Sequence, residues 1–321
     1  MSPHRVKMVL AGAGNVGRRH LLAARRCHGI DVVGCMDVDA ARAGELAGEF
    51  GIRPLTSIAE ISASEQAAFV DICTPPGTHE ALAVASMQSG FHVLVEKPCV
   101  TSMPQLKAVE ECSRQYGRTV GVISQHRFAA AAMRLRRNVA EGRIGTVESV
   151  QIRIRRCRHM ERTKGDWRNI RAMSGGGILM TIAVHQLDLA CTLVDGDLHE
   201  VQARVIDSRN GMDDHMVGRC MIADTKLSVD AKWGQVAECP DTLTVVGSER
   251  RLTLEGDRLR EVDEMEVVDR YELHARQLCD FAQAISSGGR PEVALSDARK
   301  TLSIVFAMYH AAGIPQDEQV L

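Results

Sequence analysis

Val6-Lys7-Met8-Val9-Leu10-Ala11 runs straight into Gly12-Ala13-Gly14-Asn15-Val16-Gly17. An apolar run the length of one buried strand, followed by glycines at the first, third and sixth positions, predicts a strand, a tight turn and a helix. That arrangement cradles a dinucleotide pyrophosphate. Gly12 permits the turn, Gly14 lets backbone approach the phosphates, and Gly17 lets helix pack close to strand. Asn15 and Val16 open the helix, whose first N–H groups and positive dipole end face the anion. Glycine turns are common, so the pattern takes its weight from Asp37. This residue lies twenty positions beyond Gly17, at the end of the next apolar run, Val32–Met36. A carboxylate there holds both hydroxyls of an adenosine ribose and repels a 2′-phosphate, which favours NAD over NADP.

Outward from this turn, short apolar runs alternate with helical patterns. Strands are expected at Val6–Leu10, Val32–Met36, Phe69–Cys73, His92–Val95 and Val120–Ile123. Helices are expected at Val16–Cys27, Ala40–Phe50, His79–Ser89 and Pro104–Tyr116. Such alternation implies a parallel sheet covered on both faces, with ligands at the carboxyl ends of the strands. Gly12, Asp37, Thr74 and Lys97 then share one rim. After residue 125 the pattern changes. A helix over Ala129–Glu141 precedes alternating runs at Val147–Ile154, Val201–Ile206, Met216–Ile222, Leu227–Trp233, Thr242–Val246 and Arg251–Leu254. Strands without intervening helices imply an open, mostly antiparallel sheet. Helices at Tyr271–Ser286 and Ser296–Ala311 close the chain. The reading is therefore α/β: a Rossmann parallel-sheet domain over residues 1–125 and an α+β domain over 126–321. A chain of 321 residues exceeds what one core usually organises.

Bulk composition excludes several function classes. Hydrophobic residues make up 45% and charged residues 25%, as in ordinary globular proteins. A formal net charge of −2 exerts no pull on nucleic acid or anionic membrane. Aromatics at 3% leave no stacking platform for single strands. No apolar run approaches a membrane span and the N-terminus shows no signal-peptide pattern, so a cytoplasmic location is expected. Ten cysteines occur without paired CxxC spacing. Cys35, Cys73 and Cys191 sit in apolar segments, as small buried hydrophobes of a reducing compartment; neither a disulfide framework nor a metal site is expected.

Two constellations carry chemistry. Glu96-Lys97-Pro98 follows the expected strand His92–Val95, and a lysine at that rim stabilises a developing alkoxide. A cis bond between Lys97 and Pro98 is expected. Further on, Ser174-Gly175-Gly176-Gly177 opens a helix that is apolar nearly all round. Thr181, His185, Asp188 and Thr192 fall on one face of it, a narrow polar stripe suited to a wet cleft. His185 suits the proton acceptor in alcohol oxidation; the alternative is a hydrogen-bonded core histidine. A basic segment between Gln151 and Arg171 holds Arg153, Arg155, Arg156, Arg158, Arg162, Lys164, Arg168 and Arg171. It reads either as an anion site or as solvated sheet surface and subunit contact.

In their order, these pieces resemble the Gfo/Idh/MocA family of sugar and cyclitol oxidoreductases. The resemblance runs through Gly12–Gly17, Cys73-Thr74-Pro75-Pro76 with His79, Glu96-Lys97-Pro98 and Arg127-Phe128. It continues through Gly142-Arg143-Ile144-Gly145, Asp166-Trp167-Arg168, and Gly175–Gly177 with His185 and Asp188. It implies hydride transfer between NAD(H) and a ring carbon of a sugar, amino sugar or cyclitol. Lys97 and His185 match the family's catalytic lysine and histidine. The cofactor set is then Gly12, Gly14, Asn15, Val16, Gly17, Asp37, Thr74, Pro75, His79, Glu96 and Lys97, and Arg127, Thr181 and Arg168 position the substrate. Pairing into homodimers or homotetramers through the C-terminal sheet is also implied.

One position departs from the pattern. Many members carry aspartate four residues before the histidine, where this chain has Thr181. A hydroxyl cannot hold charge, so His185 loses an anionic neighbour and its pKa is expected to sit lower than in those relatives. The implied consequence is an altered substrate or a bias toward ketone reduction. An epimerase-type enzyme that retains its NAD, and a non-catalytic NAD- and sugar-binding regulator, are the alternative readings.

Overall fold

The computed structural model describes residues 5–61, 68–157, 166–234, 240–256, 258–260 and 271–315. In chain order the strands are β1 (Val6–Ala11), β2 (Ile30–Met36), β3 (Arg53–Leu55), β4 (Phe69–Ile72), β5 (His92–Val95), β6 (Val120–Val122) and β7 (Val147–Cys157). They continue with β8 (Leu198–Arg209), β9 (Met212–Ile222), β10 (Thr225–Gly234), β11 (Thr242–Gly247), β12 (Arg251–Glu255) and β13 (Arg258–Leu259). The helices are α1 (Asn15–Ala24), α2 (Ala40–Phe50), α3 (His79–Gln88), α4 (Met103–Tyr116), α5 (Ala130–Ala140), α6 (Arg171–Ser174), α7 (Val184–Ala190), α8 (Glu272–Ser287) and α9 (Leu295–Ala311).

Strands β1 to β6 form one sheet in the order β3-β2-β1-β4-β5-β6, parallel throughout. The order reverses at β1, which lies between β2 and β4, and the crevice at such a switch point is where nucleotides bind. The sheet's strands are buried on both faces: Met8, Val9, Leu10, Phe69, Val70, Ile72, Val93 and Leu94 have no exposed surface. The sequence pattern does not predict β3, because three residues including Pro54 carry no period; its place at the sheet edge suits a proline.

Strands β7 to β13 form a second sheet in the order β13-β12-β11-β7-β10-β9-β8. Only β7 and β10 run parallel, and the other neighbours are antiparallel. The expected alternation is explicit in β7, where Val150, Ile152 and Ile154 are buried while Gln151 and Arg153 are exposed. Register aligns Ile152 with Val229 of β10 and Leu243 of β11, an apolar row across three strands. The opposite row, Gln151 beside Thr244 and Arg153 beside Thr242 and Asp230, is polar.

The expected division at residue 125 is corrected in one respect. The first compact unit comprises Met1–Val100, Pro104–Gln125 and the described residues within Val268–Ser296; the second comprises Thr101–Met103, His126–Val267 and Asp297–Leu321. α8 therefore belongs with the parallel sheet. Its Leu278 and Phe281 are buried, with the Phe281 ring edge-on to Phe69 at 5.3 Å. Gln277 accepts from the Ser124 N–H at 3.0 Å and donates to the Val122 carbonyl at 2.8 Å, and the Val122 N–H bonds Val293 O. Helix periodicity alone cannot say which sheet a helix covers.

The reading of the cysteines is corrected as well. Cys27, just past α1, and Cys279 in α8 form a disulfide spanning 252 positions. Cys35, Cys73, Cys99, Cys112, Cys157, Cys191 and Cys220 are free. Among the described residues no helix is long and apolar enough to cross a membrane.

Candidate active site

The glycine turn sits between β1 and α1 as its spacing requires. Gly12 has φ +106°, and a Cβ there would lie 2.7 Å from the Cys73 carbonyl, so only glycine fits. A Cβ on Gly17 would lie 1.9 Å from Gly12 O, the close helix–turn packing foreseen for it. Gly14 is different: nothing lies within 4 Å of its Cβ position. As the N-cap of α1 it supplies no side-chain acceptor to the first turn's N–H groups.

Asp37 braces this turn. Its Oδ2 accepts the Ala13 N–H at 2.8 Å and its Oδ1 the Asp39 N–H at 2.9 Å. Each oxygen keeps a lone pair for a ribose hydroxyl. Val38, next along, is a fully exposed apolar side chain available to the face of a base. An uncapped helix end, open space before Gly14 and a ribose-facing carboxylate fit NAD, with Gly14, Asn15 and Val16 on the pyrophosphate and Asp37 on the ribose.

Two loops flank this site. After β4, the Thr78 hydroxyl donates to Thr74 Oγ1 and Pro75 O, each at 2.8 Å. His79, expected to touch cofactor, is fully buried instead. Its ring lies 2.9 Å from Pro98 O through Nδ1 and 2.8 Å from Thr74 O through Nε2. Burial lowers its pKa while the bonds to the two carbonyls oppose that shift, and the ring lies between the loop after β4 and the loop after β5. In the second loop the Lys97–Pro98 bond is cis, as expected. Glu96 Oε2 accepts the Lys97 N–H at 2.9 Å, and Oε1 faces His20 Nε2 at 3.2 Å. Burial pushes the Glu96 carboxyl up, but the bond to His20 and the charges of His20, Lys97 and His274 outweigh it and bring it down to about 2.

The glycine run Gly175–Gly177 belongs to the second unit and has a packing task. A Cβ on Gly177 would lie 2.0 Å from Asp213 O, and one on Gly176 would lie 2.2 Å from the Tyr309 hydroxyl. The buried Asp213 carboxylate accepts the Gly177 N–H, the Leu179 N–H and the Tyr309 hydroxyl, each at 2.8 Å. Sequence reasoning missed Asp213 and Tyr309; Asp213 lies inside a strand and Tyr309 in a separate helix, so no local motif joins them to the glycines.

The helix beyond the glycines is not one regular cylinder. Leu179–Ala183 is a π-turn, and α7 follows it. The wide turn shifts the helical phase of α7, so the expected stripe breaks up. Thr181 and His185 are half-buried, whereas Asp188 is buried. Thr181 Oγ1 donates to Gly177 O at 2.6 Å. The His185 ring meets His126 edge-on, with centroids 4.9 Å apart.

Arg127, expected as a substrate contact, is buried and clamps Asp188 through two bonds of 2.6 Å, with Asp297 at 3.7 Å. Thr301 adds a hydroxyl to Asp188 at 3.3 Å. Arg127 thus holds α7, which carries His185. Arg168 pairs with Asp166 and stacks over Trp167 at 4.3 Å, half-exposed. In the basic segment Arg155 pairs with Asp230 and Arg156 with Asp241, while Arg153 faces solvent. Arg158, Arg162 and Lys164 lie outside the described residues.

Comparisons with known proteins agree with this architecture. Residues 6–124 match the family model for the oxidoreductase family with an NAD-binding Rossmann fold, and residues 132–253 match the GFO/IDH/MocA C-terminal domain. The 1,5-anhydro-D-fructose reductase of Ensifer adhaerens is 25% identical over 335 residues, covering 97% of each chain. Inositol 2-dehydrogenase 3 of Saccharopolyspora erythraea is 29% identical over 206 residues, covering 64% of this chain and 57% of its own. The crystal structure of the WlbA dehydrogenase from Bordetella pertussis, in complex with NADH and UDP-GlcNAcA, shares the fold. Its TM-score is 0.87 at 20% identity, with 98% of this chain and 97% of that one covered. Matched over residues 6–124 and 132–253 by the two models of one family, the chain belongs to the Gfo/Idh/MocA oxidoreductases, and residues 6–124 match their NAD-binding Rossmann domain.

Proposed function

We propose that this chain interconverts a hydroxyl and a keto group on a ring carbon of a sugar or cyclitol, with NAD(H) as partner. Bound NAD accepts a hydride in the oxidation and returns it in the reduction. Lys97 donates a hydrogen bond to the reacting oxygen and steadies its negative charge. His185 takes the hydroxyl proton as the alcohol is oxidised and returns it in reduction. Thr181 spends its proton on Gly177 O and so offers substrate only an accepting oxygen. Arg168 stands beside Trp167 as a guanidinium for a substrate's polar groups.

The observation that carries the reading is the shared rim of the parallel sheet: a dinucleotide turn braced by Asp37 after β1, and a lysine directly after β5. Relatives that act on anhydro sugars and inositols support the substrate class. The test is a panel of sugars, amino sugars and cyclitols that includes 1,5-anhydro-D-fructose and inositols. Each is offered with NAD and NADP while reduced nicotinamide is followed by absorbance. Turnover of a ring alcohol or ketone with a preference for NAD is expected; turnover with none of the panel overturns the substrate class.

The polar row of Gln151, Arg153, Thr244 and Asp230 on one face of the second sheet also supports pairing of two copies. Light scattering is expected to give the mass of a dimer or tetramer, and a monomer would remove that reading.

A further inference from the structure

The parallel-sheet unit buries a charged network that the roles above leave unused. His20 lies in α1, three residues after Gly17, and has no exposed surface. Its Nδ1 is 2.8 Å from Asp71 Oδ2, in β4, and its Nε2 is 3.2 Å from Glu96 Oε1, just past β5. Asp71 is fully buried as well. A neutral imidazole has one N–H and could satisfy only one of two carboxylates, so two acceptors on opposite ring nitrogens call for the doubly protonated ring.

Other titratable groups close by among the described residues are Cys73, whose thiol lies 3.9 Å from Asp71 Oδ1, and His274 of α8, whose ring centroid is 5.1 Å from that of His20. Burial opposes a charge on His20, yet the field of Asp71 and their hydrogen bond hold it protonated well above the ordinary histidine range. The side-chain types would also suit a metal ion. Both ring nitrogens of His20 already face carboxylate oxygens at hydrogen-bond length, which favours protons there.

We propose that His20 is a positioning residue: a permanent imidazolium that ties Asp71 to Glu96 and, through the Glu96–Lys97 amide bond, sets the backbone from which Lys97 reaches substrate. Glu96 is pinned at both oxygens, one by the ring and one by the Lys97 N–H. The network also joins α1, which begins at the pyrophosphate turn, to the loop that carries the reactive lysine. Its functional consequence rests on the Lys97 reading of the preceding section; its charge state does not.

The experiment has two arms on the full chain. In protein labelled with ¹⁵N-histidine, NMR is expected to show both His20 nitrogens still protonated at pH values above the ordinary histidine range, with and without NAD. A ring that titrates near the ordinary histidine value, or that shows a neutral tautomer at neutral pH, overturns the proposal. In the second arm, His20→Gln is assayed with NADH and 1,5-anhydro-D-fructose, or with whichever panel sugar the wild type turns over. We expect kcat to fall about tenfold with KM nearly unchanged. The acid limb should also move to higher pH, because Glu96 without its cation titrates higher than it does beside His20. A variant with wild-type kcat and pH profile overturns the positioning role. Lys97→Met run in parallel separates the two ideas, since unimpaired turnover there removes the Lys97 reading and leaves the His20 charge state to stand on the NMR alone.

Discussion

Lys97 and Glu96 are adjacent in sequence but answer to different physics. Lys97 is proposed to meet the oxygen whose charge develops during the reaction. Lys97→Ala is therefore expected to lower kcat by about a thousandfold while NAD affinity, measured by calorimetry, changes less than about threefold. Glu96 is structural in its ionised form. Its carboxyl falls from 4.5 to about 2 on folding, so it contributes stability above pH 4.5 that is lost as pH drops through 2. His20 contributes in the other sense: its raised pKa supplies stability that is complete below 6.5 and is lost only as pH rises through the higher folded value. Glu96→Gln is expected to reduce stability at neutral pH and to flatten the fall in stability between about pH 4.5 and pH 2. Denaturant unfolding across that range measures it, and an acid limb equal to the wild type's would contradict the assignment.

At the level of single elements, the helix that carries His185 is held from two directions. At its start, Asp213 gathers the Gly177 and Leu179 N–H groups and the Tyr309 hydroxyl. At α7, the Arg127–Asp188 pair buries both charges, with side chains 3% and 8% exposed. A buried pair broken on one side leaves an uncompensated charge, which costs more than the pair contributes net. Arg127→Met is thus expected to destabilise the chain by about 3 kcal/mol in urea unfolding. An effect below about 0.5 kcal/mol, with a raised KM for substrate, would return Arg127 to the substrate-contact role. The glycines of this segment exclude side chains that would strike Asp213 and Tyr309, so their presence reflects packing and not an anion cradle.

For the whole molecule, the informative feature is that sequence order and packing order differ. α8 is separated from the parallel sheet by more than a hundred residues of intervening chain, yet it buries Leu278 and Phe281 against the same core as Leu21, Phe69 and Leu94. Each such side chain stabilises by about 2 kcal/mol when withdrawn from water. A fragment of residues 1–125 alone is expected to lack cooperative thermal unfolding and to bind a hydrophobic dye, because the surface under α8 is bare. The same fragment joined through a flexible linker to residues 268–296 is expected to recover a cooperative transition. A fragment that melts sharply without α8 would show that this helix is dispensable.

The amino-acid sequence by itself determined what local chemistry can encode. The turn at Gly12–Gly17, Asp37 at the end of the next strand, strand–helix alternation followed by strands alone, and the Glu96-Lys97-Pro98 and His185 signals all depend on residues close along the chain. Tertiary structure decided the rest: that α8 returns to the first sheet, that Arg127 serves Asp188, that His79 bridges two loops, that Cys27 meets Cys279, and that a π-turn breaks the polar stripe. These outcomes depend on which distant groups share a buried space. A buried charge or hydrogen-bonding group must find its partner wherever the fold brings one, and no spacing in the sequence records that choice.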